Sequence, residues 1–264
     1  MEMAAGFNGI VLGDFEDKKQ AFMKLKYALI PACVVVALSL SGRVTAGWAS
    51  PADAPAALKG TVKFEGTAPK PSRIDMSADP LCAKARQTPA TTEDIVVGGN
   101  GGLTNVVVYV SDGLTSHSFP PPEQPATLEQ KGCQYRPHVL ALRANQKLEV
   151  VNSDETTHNI HPIPNNNREW NMSQPHGVPL EQSFAREEIA IPVKCNVHPW
   201  MRGYIAVFKH PYFAVTDKEG SFELKDLPPG TYTITAWQEK LGTKTQKLSI
   251  GAGETKTLDF AFKQ

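Results

Sequence analysis

Beyond residue 50 the chain never sustains a helical period. It carries short β-prone runs, many of them alternating apolar and polar residues, broken by glycine (20) and proline (21). Such runs fall at 58–65, 106–110, 139–142, 148–152, 188–195 and 204–208, and again at 213–216, 221–224, 232–237, 246–250 and 257–262. Turn chemistry separates them at 143–146, 217–220, 227–230 and 251–254. Period two puts alternate side chains on opposite faces of a strand, so the pattern predicts an all-β chain of sandwich or barrel type. Residues 50–57 read as a linker and 118–125 as a proline-rich loop. The glycine-rich stretch 98–102 is a turn, not a phosphate loop, because no strand-to-helix context or Lys-Ser/Thr follows it.

Charge narrows the partners. Lys+Arg and Asp+Glu are both 27, so there is no basic excess to hold nucleic acid or an anionic membrane. The first 49 residues read as a targeting segment: Lys18, Lys19, Lys24 and Lys26, an apolar run over 27–40, and small residues up to Ala49. The run is short of the ~20 residues of a membrane span. The alternative is an uncleaved anchor, the one route to a membrane in this reading. Met23 is an alternative start, and apolar residues continue past Cys33, against a lipid-modified cysteine. The expectation is a nearly neutral protein exported to the bacterial periplasm or beyond.

Export makes the cysteines informative. Of Cys33, Cys82, Cys133 and Cys195, the first lies in the targeting segment, leaving three in an oxidising compartment. Each of the three pairings leaves one thiol over. Cys82–Cys133 is favoured because Cys195 stands among metal-ligating residue types; the alternative is a disulfide at Cys195 with Cys82 or Cys133 free.

Those residue types lie in Lys-Cys-Asn-Val-His-Pro-Trp-Met-Arg-Gly-Tyr, 194–204, where Cys195, His198 and Met201 are spaced by three. Upstream, Thr-Thr-His-Asn-Ile-His-Pro supplies His158, thirty-seven residues before Cys195. Two imidazoles and a thiolate with a weak axial thioether are the ligand set of a type 1, or blue, copper site. Ile189, Ile191, Val193 and Cys195 are expected on one strand face, with Glu188, Ala190 and Lys194 on the other, which delivers the thiol inward. His161 is read as supporting the site, with a swap for His158 as the alternative. His138 and His176 read as loop residues, His210 as a cap on an interdomain linker, and Trp170 and Trp200 as packing residues. Arg202 reads as a solvated loop charge. Zinc is the alternative metal, but methionine is a poor ligand for it.

The segment Cys-Asn-Val-His-Pro-Trp-Met-Arg-Gly resembles the copper loop of the cupredoxin family, in its amicyanin-like order, and His-Asn-Ile-His after Val-Val-Asn-Ser-Asp resembles that family's upstream ligand segment. The resemblance covers about 135–209. It implies a Greek-key β-sandwich, one copper ion on His158, Cys195, His198 and Met201, and Asn159 bracing the loop as a hydrogen-bond donor. It also implies an exposed His198 serving as electron portal, and Pro199 withholding a hydrogen bond from the thiolate. The stretch 165–182 departs from the family as an insertion.

From residue 210 the character changes. The stretch 216–242, with acid-x-x-Gly-x-Phe followed by Leu-Pro-Pro-Gly-x-Tyr, resembles the carboxypeptidase regulatory-like, transthyretin-like β-sandwich module. Residues 58–69 resemble the first strand of such a module, so the two pieces are expected to pair. The expected organisation is a targeting segment over 1–49, a copper domain over 50–209 whose first strand is shared, and a small β-sandwich over 210–264. The expected function is single-electron carriage between redox partner proteins. A non-redox copper-binding or partner-binding module is the alternative. An enzyme is disfavoured, because no nucleophile elbow, paired-carboxylate signature or haem-attachment motif is present.

Overall fold

The computed structural model describes residues 54–114 and 118–264; the expected targeting segment lies outside them. Four sheets carry the fold. In sheet I, β1 (Ala56–Glu65) pairs antiparallel with β13 (Ser221–Leu227) and parallel with β16 (Thr255–Thr257) and β17 (Phe260–Lys263). Sheet II runs β12 (Phe213–Val215), β2 (Val107–Asp112), β14 (Gly230–Gln238), β15 (Gly242–Ile250). Sheet III runs β5 (Val139–Arg143), β11 (Arg202–Phe208), β10 (Glu188–Lys194), β7 (His158–Pro162), β8 (Met172–Gln174). Sheet IV runs β4 (Tyr135–Arg136), β3 (Ala126–Gln130), β6 (Leu148–Asn152), β9 (Leu180–Gln182). The one α-helix among the described residues is α1 (Pro80–Lys84), too short and polar to cross a membrane.

Sheets I and II bury one core between them, with Leu58, Val62, Val108, Leu224, Ile234 and Phe262 at its centre. Sheets III and IV bury a second, which contains Leu142, Leu148, Ile160, Ile191, Val193, Cys195, Met201 and Ile205. A third apolar cluster joins the two sandwiches face to face: Val107, Tyr109 and Trp237 from sheet II meet Val139, Tyr204, Ala206 and Phe208 from sheet III. This arrangement accounts for the continuous apolar runs at 106–110, 139–142 and 204–208. Alternation still operates along them, but both faces are buried, so both must be apolar. Each such side chain contributes roughly 1.5–3 kcal/mol by leaving water.

The strand pairing redraws the expected organisation. β1 does join the C-terminal sandwich, as expected for residues 58–69. β2, expected within the copper domain, also belongs there, between β12 and β14. Sheets III and IV draw their strands only from 126–208, so that sandwich is an insertion between β2 and β12 of the other.

One alternation fails locally. Ala190 takes a left-handed backbone (φ 64), and the β10–β11 register shifts between Glu188 and Ile191. This β-bulge turns Ile189 to the face between the sandwiches, while Ile191, Val193 and Cys195 keep the inner face of sheet III.

Candidate metal centre

β10 ends at Lys194 and hands Cys195 to a tight loop that closes on itself before β11. Cys195 N–H donates to the Met201 carbonyl (3.2 Å), and Met201 N–H donates to the His198 carbonyl (2.9 Å). β7 runs antiparallel beside β10, pairing Pro162 with Val193 and His161 with Lys194. That register brings the start of β7 against the loop. Asn159 N–H donates to Cys195 Sγ (3.4 Å), and its side-chain oxygen accepts from Asn196 N–H.

Cys195, His158 and His198 are all buried, and their ligand atoms lie within 4.8 Å of one another. His158 Nδ1 faces His198 Nδ1 at 2.9 Å, and Cys195 Sγ is 3.9 Å from His198 Nδ1. The far nitrogens are both taken by carboxylates: His158 Nε2 by Asp154 Oδ2 (2.9 Å) and His198 Nε2 by Asp79 Oδ2 (2.8 Å). A carboxylate only accepts, so each Nε2 donates to its aspartate, and the neutral form of either ring would present a lone pair at Nδ1. Two lone pairs facing each other at this distance call for a cation between them, a proton or a metal ion. A metal ion bound here would be held by the two imidazoles and the Cys195 sulfur. Met201 is fully buried in the same core as Cys195.

Electrostatics follow the contacts. Burial pushes the Cys195 thiol up, but bonds from His158 and the N–H groups of Asn159, His198 and Val197 outweigh it and hold the thiol below its ordinary value. Burial also acts against the charged form of His158, yet Asp154 and Cys195 raise its pKa overall. Burial works against the Asp79 carboxylate as well; His198, Thr156, Leu81 and Cys82 donate to it and bring its pKa to about 2.

The structure therefore brings His158, Cys195 and His198 together, with Met201 packed into the same core. Cys82 and Cys133 form a disulfide and Cys195 is free. Asn159 braces the loop, but through a side chain that accepts from Asn196; its donation runs from its backbone N–H to sulfur and from its amide to Asn171. Pro199 is exposed, and the sulfur takes its bonds from Asn159 and His198 instead. His161 points to the other face of β7, where Nε2 meets Glu169 (2.6 Å) and Nδ1 meets Asn196 (3.4 Å).

Two readings of histidines are overturned. The resemblance implied an exposed His198, but its side chain is 3% exposed. Residues 74–90, in the connection between β1 and β2, pack onto sheets III and IV through Met76, Cys82 and Ala90 and place Asp79 and Cys82 against the ring, with Cys82 Sγ 3.7 Å from Nε2. His138 is likewise no simple loop residue; it is buried and paired with Glu239. Sequence reading missed both carboxylates. Asp154 stands four residues before His158 and was findable; Asp79 is 119 residues from His198 and left no local signal.

Residues 205–263 match the family model of the carboxypeptidase regulatory-like domain. The match begins inside β11, in the sheet that carries the metal centre, and ends in β17. No curated protein matches the chain. Among solved structures, the copper-containing nitrite reductase of Thermus scotoductus SA-01 is similar at 20% identity and a TM-score of 0.32, over 38% of this chain and 26% of its own. The chain thus spans about a quarter of that reductase. A purple cupredoxin from Nitrosopumilus maritimus aligns at 23% identity and a TM-score of 0.28, over 31% of this chain and 98% of its own. An oxidised amicyanin variant aligns at 14% identity and a TM-score of 0.29, over 38% and 97%.

Proposed function

We propose that this chain is an exported type 1 copper protein that carries single electrons between redox partner proteins, with His158, Cys195, His198 and Met201 holding one copper ion. The observation that carries the reading is the pair of imidazole Nδ1 atoms facing each other at 2.9 Å, each with its far nitrogen committed to a carboxylate, beside a buried thiol whose pKa is lowered. Copper bound there would supply a one-electron couple between Cu(I) and Cu(II). The chain's own part is to hold the donors still. Strands β7 and β10 fix His158 and Cys195, the closed loop fixes His198 and Met201, and the surrounding apolar core excludes water. Trp200, half-buried and 5.0 Å from the His198 ring, stands beside the covered imidazole and offers a path outward. The reading includes no catalysis by this centre and places the protein in the periplasm or outside the cell.

The test is colour. Copper-loaded, oxidised protein is expected to show an intense visible thiolate-to-copper band that Cys195→Ser abolishes. A colourless copper-replete sample overturns the reading. The burial of His198 favours a second reading, a non-redox copper-binding module. An electron self-exchange rate too slow to measure, in a protein that shows the band, would establish it.

A further inference from the structure

We infer that Asp79 and Asp154 are positioning residues that clamp the far nitrogens of both metal-facing imidazoles and bias bound copper toward its oxidised state. The inference rests on the copper reading above and adds two residues to it.

Each carboxylate is locked in place before it meets its ring. Asp79 caps α1, accepting from Leu81 N–H (2.8 Å) and Cys82 N–H (3.3 Å) on Oδ1, and takes the Thr156 hydroxyl (2.9 Å) on Oδ2 beside His198 Nε2. Asp154 accepts from Gly132 N–H (2.7 Å) on Oδ1 and from Cys133 N–H (2.8 Å) on Oδ2 beside His158 Nε2. Gly132 and Cys133 both adopt left-handed backbone (φ 61 and 53). Successive N–H groups thereby converge on one carboxylate. The two clamps are joined: Cys82 donates to one aspartate, Cys133 donates to the other, and the disulfide links the two cysteines. A disulfide tying together the two supports of two facing imidazoles is more than a staple on a loop.

Two consequences follow. An acceptor on Nε2 fixes which nitrogen carries the proton and which way the ring faces, and it makes the other nitrogen a better donor to a metal. The charge also acts on the couple. The Cys195 thiolate, Asp79 and Asp154 place three anionic groups around one buried position, where screening is weak. Reduction lowers the positive charge they surround, so the oxidised ion gains more from them than the reduced one. Asparagine keeps an acceptor oxygen and removes the charge; alanine removes both.

The experiment has two arms. Voltammetry on copper-loaded wild type, Asp79→Asn and Asp154→Asn is expected to show each variant at a higher midpoint, by at least tenfold in the Cu(I)/Cu(II) ratio, ~59 mV for one electron. Nitrogen-15 spectra of the metal-free wild type at alkaline pH are expected to show both rings protonated at Nε2, and Asp79→Ala to release that preference at His198 alone. The wild-type spectra need no variant to fold. A blue wild type whose Cu(I)/Cu(II) ratio at a given potential lies within twofold of both variants', or a ring protonated at Nδ1 instead, overturns the clamp while the copper reading stands. A colourless wild type overturns the copper reading, and this inference with it.

Discussion

His138 Nε2 and Glu239 Oε1 lie 2.5 Å apart with side chains only 7% and 4% exposed. His138 leads into β5 of sheet III, and Glu239 sits in the turn between β14 and β15 of sheet II. The pair therefore pins one sandwich to the other at the end of their shared face. Removing one partner of such a buried pair leaves the other uncompensated, at about 3–5 kcal/mol.

The pair also sets a pH dependence. Burial pushes the His138 pKa down, but Glu239, with Glu93 and Asp94 behind it, raises it above the ordinary histidine value. The folded state then binds a proton that the unfolded state has already released. This contribution is complete below the unfolded histidine pKa of ~6.5 and is lost as pH rises through the raised folded value. Urea unfolding across that range is expected to show stability falling with pH in the wild type and a flatter profile in His138→Gln. Equal slopes would refute the assignment.

The Cys82–Cys133 disulfide spans a sequence separation of 51. Closing a loop of that length removes chain entropy from the unfolded state worth about 4 kcal/mol. The double variant Cys82→Ser, Cys133→Ser is expected to lose about that much, read as a lower urea midpoint. It should also free residues 74–90 from the metal centre, so hydrogen exchange at positions 81 and 82 should accelerate more than exchange in β10. Uniform acceleration would mean that the bridge supports the whole sandwich and not this cover.

What could be read in the sequence divides along a physical line. Cys195, His198 and Met201 are local to one loop, and their spacing carries the chemistry, so they were legible. His158 was legible because its own segment carries a second pattern. The disulfide followed from counting thiols once Cys195 was committed elsewhere. Asp79 was invisible as a partner of the site, because His198 lies 119 residues away and the residues around Asp79 carry no ligand pattern. The exposure of His198 was misjudged for the same reason: the cover comes from a segment outside the resemblance. β2 was placed in the wrong sandwich because Val107–Val110 pack against both, and an apolar run does not say which neighbour supplies hydrogen bonds. The bulge at Ala190 breaks a period that the residues alone keep.

Phe208 tests the shared face. It is fully buried, stacked on Phe213 at 4.4 Å and tilted against Tyr109 at 5.1 Å, with sheet II on one side and sheet III on the other. Phe208→Ala is expected to cost about 3–5 kcal/mol in global stability. Because the face joins the sandwiches, the variant should also uncouple them, so that calorimetry resolves two transitions where the wild type shows one. A single transition at a lower temperature would indicate that the cores between sheets I and II and between sheets III and IV remain cooperative without it.

Glu188 explains how the insertion after β7 is held. Its carboxylate accepts from the N–H groups of Asn165 (2.5 Å), Asn166 (3.0 Å) and Asn167 (3.1 Å) and from the Asn167 amide (2.9 Å). Burial pushes its pKa up, and these donors more than reverse that, leaving it below the ordinary glutamate value. A group with a lowered folded pKa contributes stability that is present above the unfolded value and lost as pH falls through the folded one. Glu188→Gln keeps the shape but loses the charge that serves several donors at once. A hydrogen bond to a charged group is worth roughly 1.5–3 kcal/mol, and a loss in that range is expected at neutral pH, shrinking in acid where the wild-type carboxylate also protonates. Hydrogen exchange at Asn165–Asn167 should quicken while exchange at Ile191 and Val193 stays slow. Ile191 and Val193 pair with Ile205 and Gly203 beyond the bulge at Ala190, so the turn can loosen without moving Cys195. A shift of the visible copper band in this variant would contradict that separation.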